Sequence, residues 1–120
     1  MNPELKAKVD EMNQMILNGQ LLEAFEKFYH EDCVMMERNQ VLAEGKDANR
    51  EREKEFLSKV TEFRGAHVHN VAVGDDVTMV EWHFDYDHAD WGTMKYDQVA
   101  VQKWKDGHIV HERFYALYGL

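Results

Sequence analysis

The chain has 120 residues, 44% of them hydrophobic and 12% aromatic, which is enough for one compact core and too little for a second. A formal net charge of −9 repels phosphate backbones and anionic headgroups, so neither nucleic acid nor a membrane surface is an expected partner. Cys33 is the one cysteine, which excludes an internal disulfide and fits a reducing, cytoplasmic setting.

Met1-Asn2-Pro3-Glu4-Leu5-Lys6 lacks the basic start and apolar run of a leader, and no apolar stretch approaches the ~20 residues of a membrane helix. Asn2 can cap a first helix with Pro3 in its first turn. Leu5, Val9, Met12 and Ile16 then recur at helical spacing until Asn18-Gly19. A second helix carries Leu21, Leu22, Phe25, Phe28 and Tyr29 on its apolar stripe and should end near His30-Glu31-Asp32. Cys33-Val34-Met35-Met36 reads as a short buried strand, and residues 39–45 as a loop. Asp47 can cap a third helix running to about Val60, whose charged run from Arg50 to Glu55 reads as a solvated face.

From Phe63 the period becomes alternating, and strands are expected at about 63–73, 77–88, 93–105 and 108–117. Asp75-Asp76 and Asp106-Gly107 serve as tight turns, so the four strands should form an antiparallel meander. Helices followed by strands make an α+β domain over residues 1–120, and a long meander curls to leave a pocket between its concave face and the helices.

A two-residue turn at Asp106-Gly107 pairs Trp104 with Ile109, Gln102 with His111, Ala100 with Arg113 and Gln98 with Tyr115. Carried back through the other turns, this register puts His67, His69, Trp82, Phe84, Tyr86 and Tyr96 on the same, cavity-lining face. A one-residue slip would substitute Val68, Asn70, Glu81, His83, Asp85 and Asp97. The opposite face carries Val99, Val101, Val110 and Phe114 and is also apolar. A homodimer through the convex face of the sheet is therefore expected.

The string Phe28-Tyr29-His30-Glu31-Asp32-Cys33-Val34-Met35-Met36-Glu37, the step Gly45-Lys46-Asp47-Ala48 and the hairpin from Trp104 to Glu112 carry a family resemblance. They resemble SnoaL-like polyketide cyclases and ketosteroid isomerases of the nuclear transport factor two superfamily. The resemblance implies three N-terminal helices packed in the concave face of a strongly curved, mostly antiparallel sheet, a cone-shaped α+β barrel. It also implies that Glu37 stands where the isomerases keep a proton-shuttling aspartate, a role a desolvated carboxylate can fill. Two carbonyl-polarising donors of the isomerases are replaced by Met12-Asn13 and Ala100, and the acid/base aspartate of the cyclases by Leu117. Both departures argue against those two reactions as such.

The expected function is therefore binding of a small carbonyl or aromatic metabolite in an internal cavity, with acid/base chemistry of the isomerase, cyclase or dehydratase type. A non-catalytic binder and a dimeric association module are the alternatives. Glu37, His111 and Arg113 are the candidate catalytic groups; His67, His69, Trp82, Phe84, Tyr96, Gln98 and Tyr115 are the candidate ligand contacts. The His67-x-His69 spacing could share a metal with His111 or Glu37. In a chain with seven histidines, cavity or surface hydrogen bonding is the expected reading, and no metal or cofactor is expected. Cys33 reads as a small buried hydrophobe rather than a nucleophile.

Overall fold

The computed structural model describes residues 2–118; Met1, Gly119 and Leu120 lie outside them. Helix α1 (Pro3–Leu17) begins as its sequence dictates, with Asn2 Oδ1 accepting from the backbone N–H groups of Glu4 at 3.0 Å and Leu5 at 3.2 Å. Helix α2 (Leu21–Phe28) stops two residues before the expected end because strand β1 (Tyr29–Glu37) already starts at Tyr29.

Residues expected to form a loop instead make strand β2 (Gln40–Glu44), antiparallel to β1 across a turn in which Arg38 has φ of 51°. The strand is short and mostly exposed at the sheet edge, so it has no alternating apolar face to betray it. Helix α3 (Lys46–Lys59) is capped by Gly45, not Asp47, which sits in the first turn. Its charged run is also not wholly solvated: Glu53 is buried, as are Lys46 and Asn49 earlier in the helix.

Strands β3 (Val60–Val73), β4 (Val77–His88), β5 (Gly92–Lys105) and β6 (His108–Ala116) form the expected meander. The six-stranded sheet has the order β2-β1-β6-β5-β4-β3. The β1–β6 pair is parallel and the others are antiparallel, and the sheet is curved and open at β2 and β3. The fold is thus α+β, with the helices against one face. Leu5, Val9 and Met12 of α1 and Phe25 and Phe28 of α2 form a single core with Val80, Trp82, Ala100, Trp104 and Ile109 of the sheet. Among the described residues, no helix is long and apolar enough to cross a membrane.

Two bulges decide which side chains face that core. Lys105 pairs with His108 and Trp104 with Ile109, as a two-residue turn requires, but Lys103 then pairs with His111, leaving Val110 as an extra residue. The expected pairings of Gln102, Ala100 and Gln98 with His111, Arg113 and Tyr115 are displaced by one. Their actual partners are Glu112, Phe114 and Ala116. In β3, His69 is the extra residue between Val68 (opposite Trp82) and Asn70 (opposite Glu81), so His67 pairs with His83.

Candidate functional site

The inner face of the sheet carries a run of aromatic rings. Trp82 stacks on Phe84 with centroids 5.1 Å apart, Phe84 tilts against Tyr96 at 5.9 Å, and Tyr96 meets Tyr86 edge-on at 6.0 Å. The Tyr86 and Tyr96 hydroxyls are hydrogen-bonded at 2.8 Å, and Phe56 of α3 closes on Tyr86 at 5.5 Å. Tyr118, just beyond β6, packs edge-on against Tyr96 at 4.6 Å. Trp82, Phe84, Tyr96 and Gln98 therefore share a face, as the alternation of β4 and β5 predicts.

Glu37 closes β1 opposite Phe114, with a side chain 19% exposed. Its Oε1 is shielded from solvent without a hydrogen-bond partner, the Arg38 guanidinium lying 3.9 Å away. Desolvation pushes the carboxyl above the usual carboxylate range, with Arg38 opposing. The same carboxylate acts on Tyr118, whose hydroxyl is pushed up to about 12, first by burial and then by the Glu37 charge. Glu37 thus lies beside the Tyr118 end of the aromatic run.

Deeper in, a polar chain crosses the core. Trp104 Nε1 donates to Thr78 Oγ1 at 2.9 Å, Thr78 to Gln102 Oε1 at 2.6 Å, and Gln102 Nε2 to Glu112 Oε2 at 2.8 Å. Tyr29 donates to the other oxygen of Glu112. Burial raises the Glu112 carboxyl to about 7 despite those two bonds, and the neighbouring Glu53 charge pushes in the same direction. Glu53 is itself raised by burial and opposed by Arg52, whose Nη2 lies 2.9 Å from its Oε1. Residue reasoning missed this pair of interior carboxylates. Their signal was polar residues at inward positions of strands, Thr78 and Gln102 among them, which a correct register would have lined up with Glu112.

The remaining sequence candidates do not join this group. His111, Arg113 and Tyr115 face outward with Val99 and Val101, because the bulge at Val110 turns them over. Phe114, expected outside, packs against the core instead. His67 and His69 lie on the outer face with His83, since the bulge at His69 breaks their alignment with Trp82 and Phe84. His111 is held below the usual histidine range by burial, then by Arg113 and Lys103. Cys33 is fully buried, as expected, and burial pushes its thiol up.

Among the described residues, neither of two depressions that open to solvent is lined by the aromatic run. One of about 710 Å³ lies between β2 and α3 and includes Leu42, Ala43, Arg52 and Glu55. The other, of about 190 Å³, lies between the start of α1 and the hairpin tips at Asp75-Asp76 and Asp106-Gly107.

Helices seated against one face of a curved sheet, with carboxylates enclosed between the layers, define a small α+β domain of the cone-shaped class. Residues 4–116 match the SnoaL-like domain family, and the chain belongs to that family. A comparison with curated proteins returned no match. Among solved structures, a Mesorhizobium loti protein, provisionally assigned as a SnoaL-like polyketide cyclase, superposes with a TM-score of 0.82 at 24% identity, over 96% of this chain and 99% of that one. A protein of unknown function from Burkholderia xenovorans, like nuclear transport factor two, gives 0.76 at 15% identity, over 95% and 83%. A Catenulispora acidiphila protein with a ketosteroid isomerase-like fold, solved with trimethylamine, gives 0.68 at 8% identity, over 84% and 78%. At these identities the likeness is one of fold.

Proposed function

We propose that the protein binds a small, flat carbonyl or aromatic metabolite against the Phe84–Tyr96–Tyr118 end of the inner face, and that Glu37 moves a proton on it. The observation that carries this reading is the Glu37 carboxylate, whose shielded Oε1 has no hydrogen-bond partner and whose proton affinity is raised by burial. An unsatisfied, desolvated acceptor beside stacked rings suits abstraction of a proton next to a carbonyl. The position also agrees with the place the family resemblance gives a shuttling carboxylate. Tyr118, exposed on one side and beyond the end of β6, is the ring a ligand would displace on entering. His111 and Arg113 take no part in this reading, because they face the other side of the sheet.

The test is deuterium exchange at the α-carbon of a panel of cyclic ketones and aryl ketones, followed by proton NMR with and without protein. A proton shuttle accelerates exchange of at least one compound, and Glu37→Gln lowers that acceleration by about two to four orders of magnitude while leaving the circular dichroism spectrum unchanged. Equal exchange in the two proteins removes Glu37 as the base. A ligand that binds unaltered, with Glu37→Gln changing affinity only, would favour the non-catalytic binder.

We also propose that the outer face mediates a homodimer. Met79 and Tyr115 are exposed there, next to the half-buried Val99 and Val101, and such an apolar surface is unusual for the water side of an antiparallel sheet.

A further inference from the structure

The outer face also gathers three histidines, two of them against one carboxylate. His67 and His83 are cross-strand partners on β3 and β4, and His83 and Asp97 are partners on β4 and β5. The bulge adds His69 to the same place, its ring centroid 4.9 Å from that of His67 and 6.1 Å from that of His83. His83 Nδ1 lies 2.7 Å and His69 Nε2 3.6 Å from the same Asp97 Oδ1.

We propose that His69, His83 and Asp97 form a transition-metal site, with Zn²⁺ the best-matched ion and the fourth position open to water or to His67. The ligand atoms of the three residues all lie within 4.8 Å of one another. A tetrahedral ion with bonds of about 2.0–2.2 Å holds its ligands roughly 3.3–3.5 Å apart, and the 2.7 and 3.6 Å separations bracket that value. Small rotations of three partly exposed side chains therefore suffice. Two imidazole nitrogens and one carboxylate oxygen suit zinc, cobalt, nickel or copper rather than calcium or magnesium, which prefer all-oxygen shells.

The bulge is the structural reason for the cluster. In an unbroken ladder continuing from the Val73–Thr78 pair, His69 would stand opposite Trp82, on the core side. The extra residue moves it to the solvent side, where it reaches Asp97 two strands away. Arg64 on the same face pairs with Asp85 and Asp87 rather than with Asp97. The polar contacts of Asp97 are instead with the imidazoles of His83 and His69, the two groups that would share an ion with it. Three strands joined by two hydrogen-bond ladders set the ligand positions, and the partial exposure of all three side chains leaves a path for the ion.

The site is tested by titrating Zn²⁺ into tag-free, chelator-treated protein in a calorimeter, and by recording the visible spectrum of the Co²⁺ form. One ion per chain is expected, with the strong visible absorption of four- or five-coordinate cobalt. His83→Ala and Asp97→Asn should each weaken binding about tenfold or more, while His108→Ala at the exposed hairpin tip changes nothing. Absence of binding, a cobalt spectrum indistinguishable from the aqueous ion, or affinity undiminished in both ligand variants would each overturn the assignment. The cobalt spectrum of the unaltered protein decides the matter even if a variant fails to fold. None of these readouts depends on Glu37.

Discussion

Glu112 is a carboxyl group whose environment alters its chemistry. Buried between Tyr29 and Gln102, it has a folded pKa of about 7 against an unfolded value of 4.5. The folded state therefore holds its proton more tightly than the unfolded chain does. Its contribution to stability is fully present below pH 4.5 and is lost as pH rises to about 7, a difference of about 3 kcal/mol. Glu112→Gln keeps the shape and both hydrogen bonds, with Tyr29 accepting instead of donating, and removes the titration. Urea unfolding from pH 4 to 8 should show the unaltered protein losing midpoint across that window and the variant losing much less. Glu53, raised by burial in the same direction, accounts for slope that remains. Equal slopes in the two proteins would mean that Glu112 stays ionised inside the fold. Nothing in its immediate sequence marked Glu112 as buried. The triplet His111-Glu112-Arg113 is polar throughout, and only its register against Gln102 assigns the middle residue to the core. Glu37 was singled out through the family resemblance, which sets it where the isomerases keep a carboxylate, and not through its neighbours in the chain.

At the scale of elements, the β5–β6 hairpin sets the register of the final strand. Asp106 and Gly107 have φ of 54° and 79°, the two left-handed residues of a turn whose twist matches its strands. A side chain at Gly107 meets that backbone strain and also Lys8 Nζ, 2.7 Å from where its Cβ would lie. Lys8 now donates to the Gly107 carbonyl at 3.1 Å. Gly107→Ala is expected to destabilise the protein by about 1–2 kcal/mol, read as a lower urea midpoint, while Asp106→Gly is neutral or mildly stabilising. The turn was legible because Asp-Gly between apolar runs has a mechanism behind it. The bulges at Val110 and His69 were not, because the residues flanking each give no local sign that the ladder must gain one. A single inserted residue reverses every side chain beyond it, which is why the aromatic members of the expected site stayed inside while His67, His69, His111, Arg113 and Tyr115 moved to the other face. Strand β2 escaped for a different reason, since an exposed edge strand buries nothing that periodicity could detect.

At the scale of the whole molecule, the sheet separates two kinds of chemistry, with buried carboxylates and stacked rings inside and His67, His69, His83, His111, Arg113 and exposed apolar side chains outside. The fold class, and every element but β2, followed from hydrophobic period, which changes from helical to alternating near residue 60. The outer face is where a second copy of the chain would sit, and Val101 tests it. Val101 stands between Met79 on β4 and Arg113 on β6, so a lysine there faces solvent in a monomer at little cost. In a dimer closed over this face, the same lysine is buried beside Arg113 without a partner, which costs several kcal/mol. Val101→Lys should therefore sediment as a monomer where the unaltered protein sediments as a dimer, with the same circular dichroism. Val101 lies four residues from Asp97 along β5, about 13 Å, so the variant should still bind Zn²⁺ at the histidine cluster. A variant that remains dimeric would move the interface to another surface, and an unaltered protein that sediments as a monomer would leave the apolar outer face without the partner argued for it.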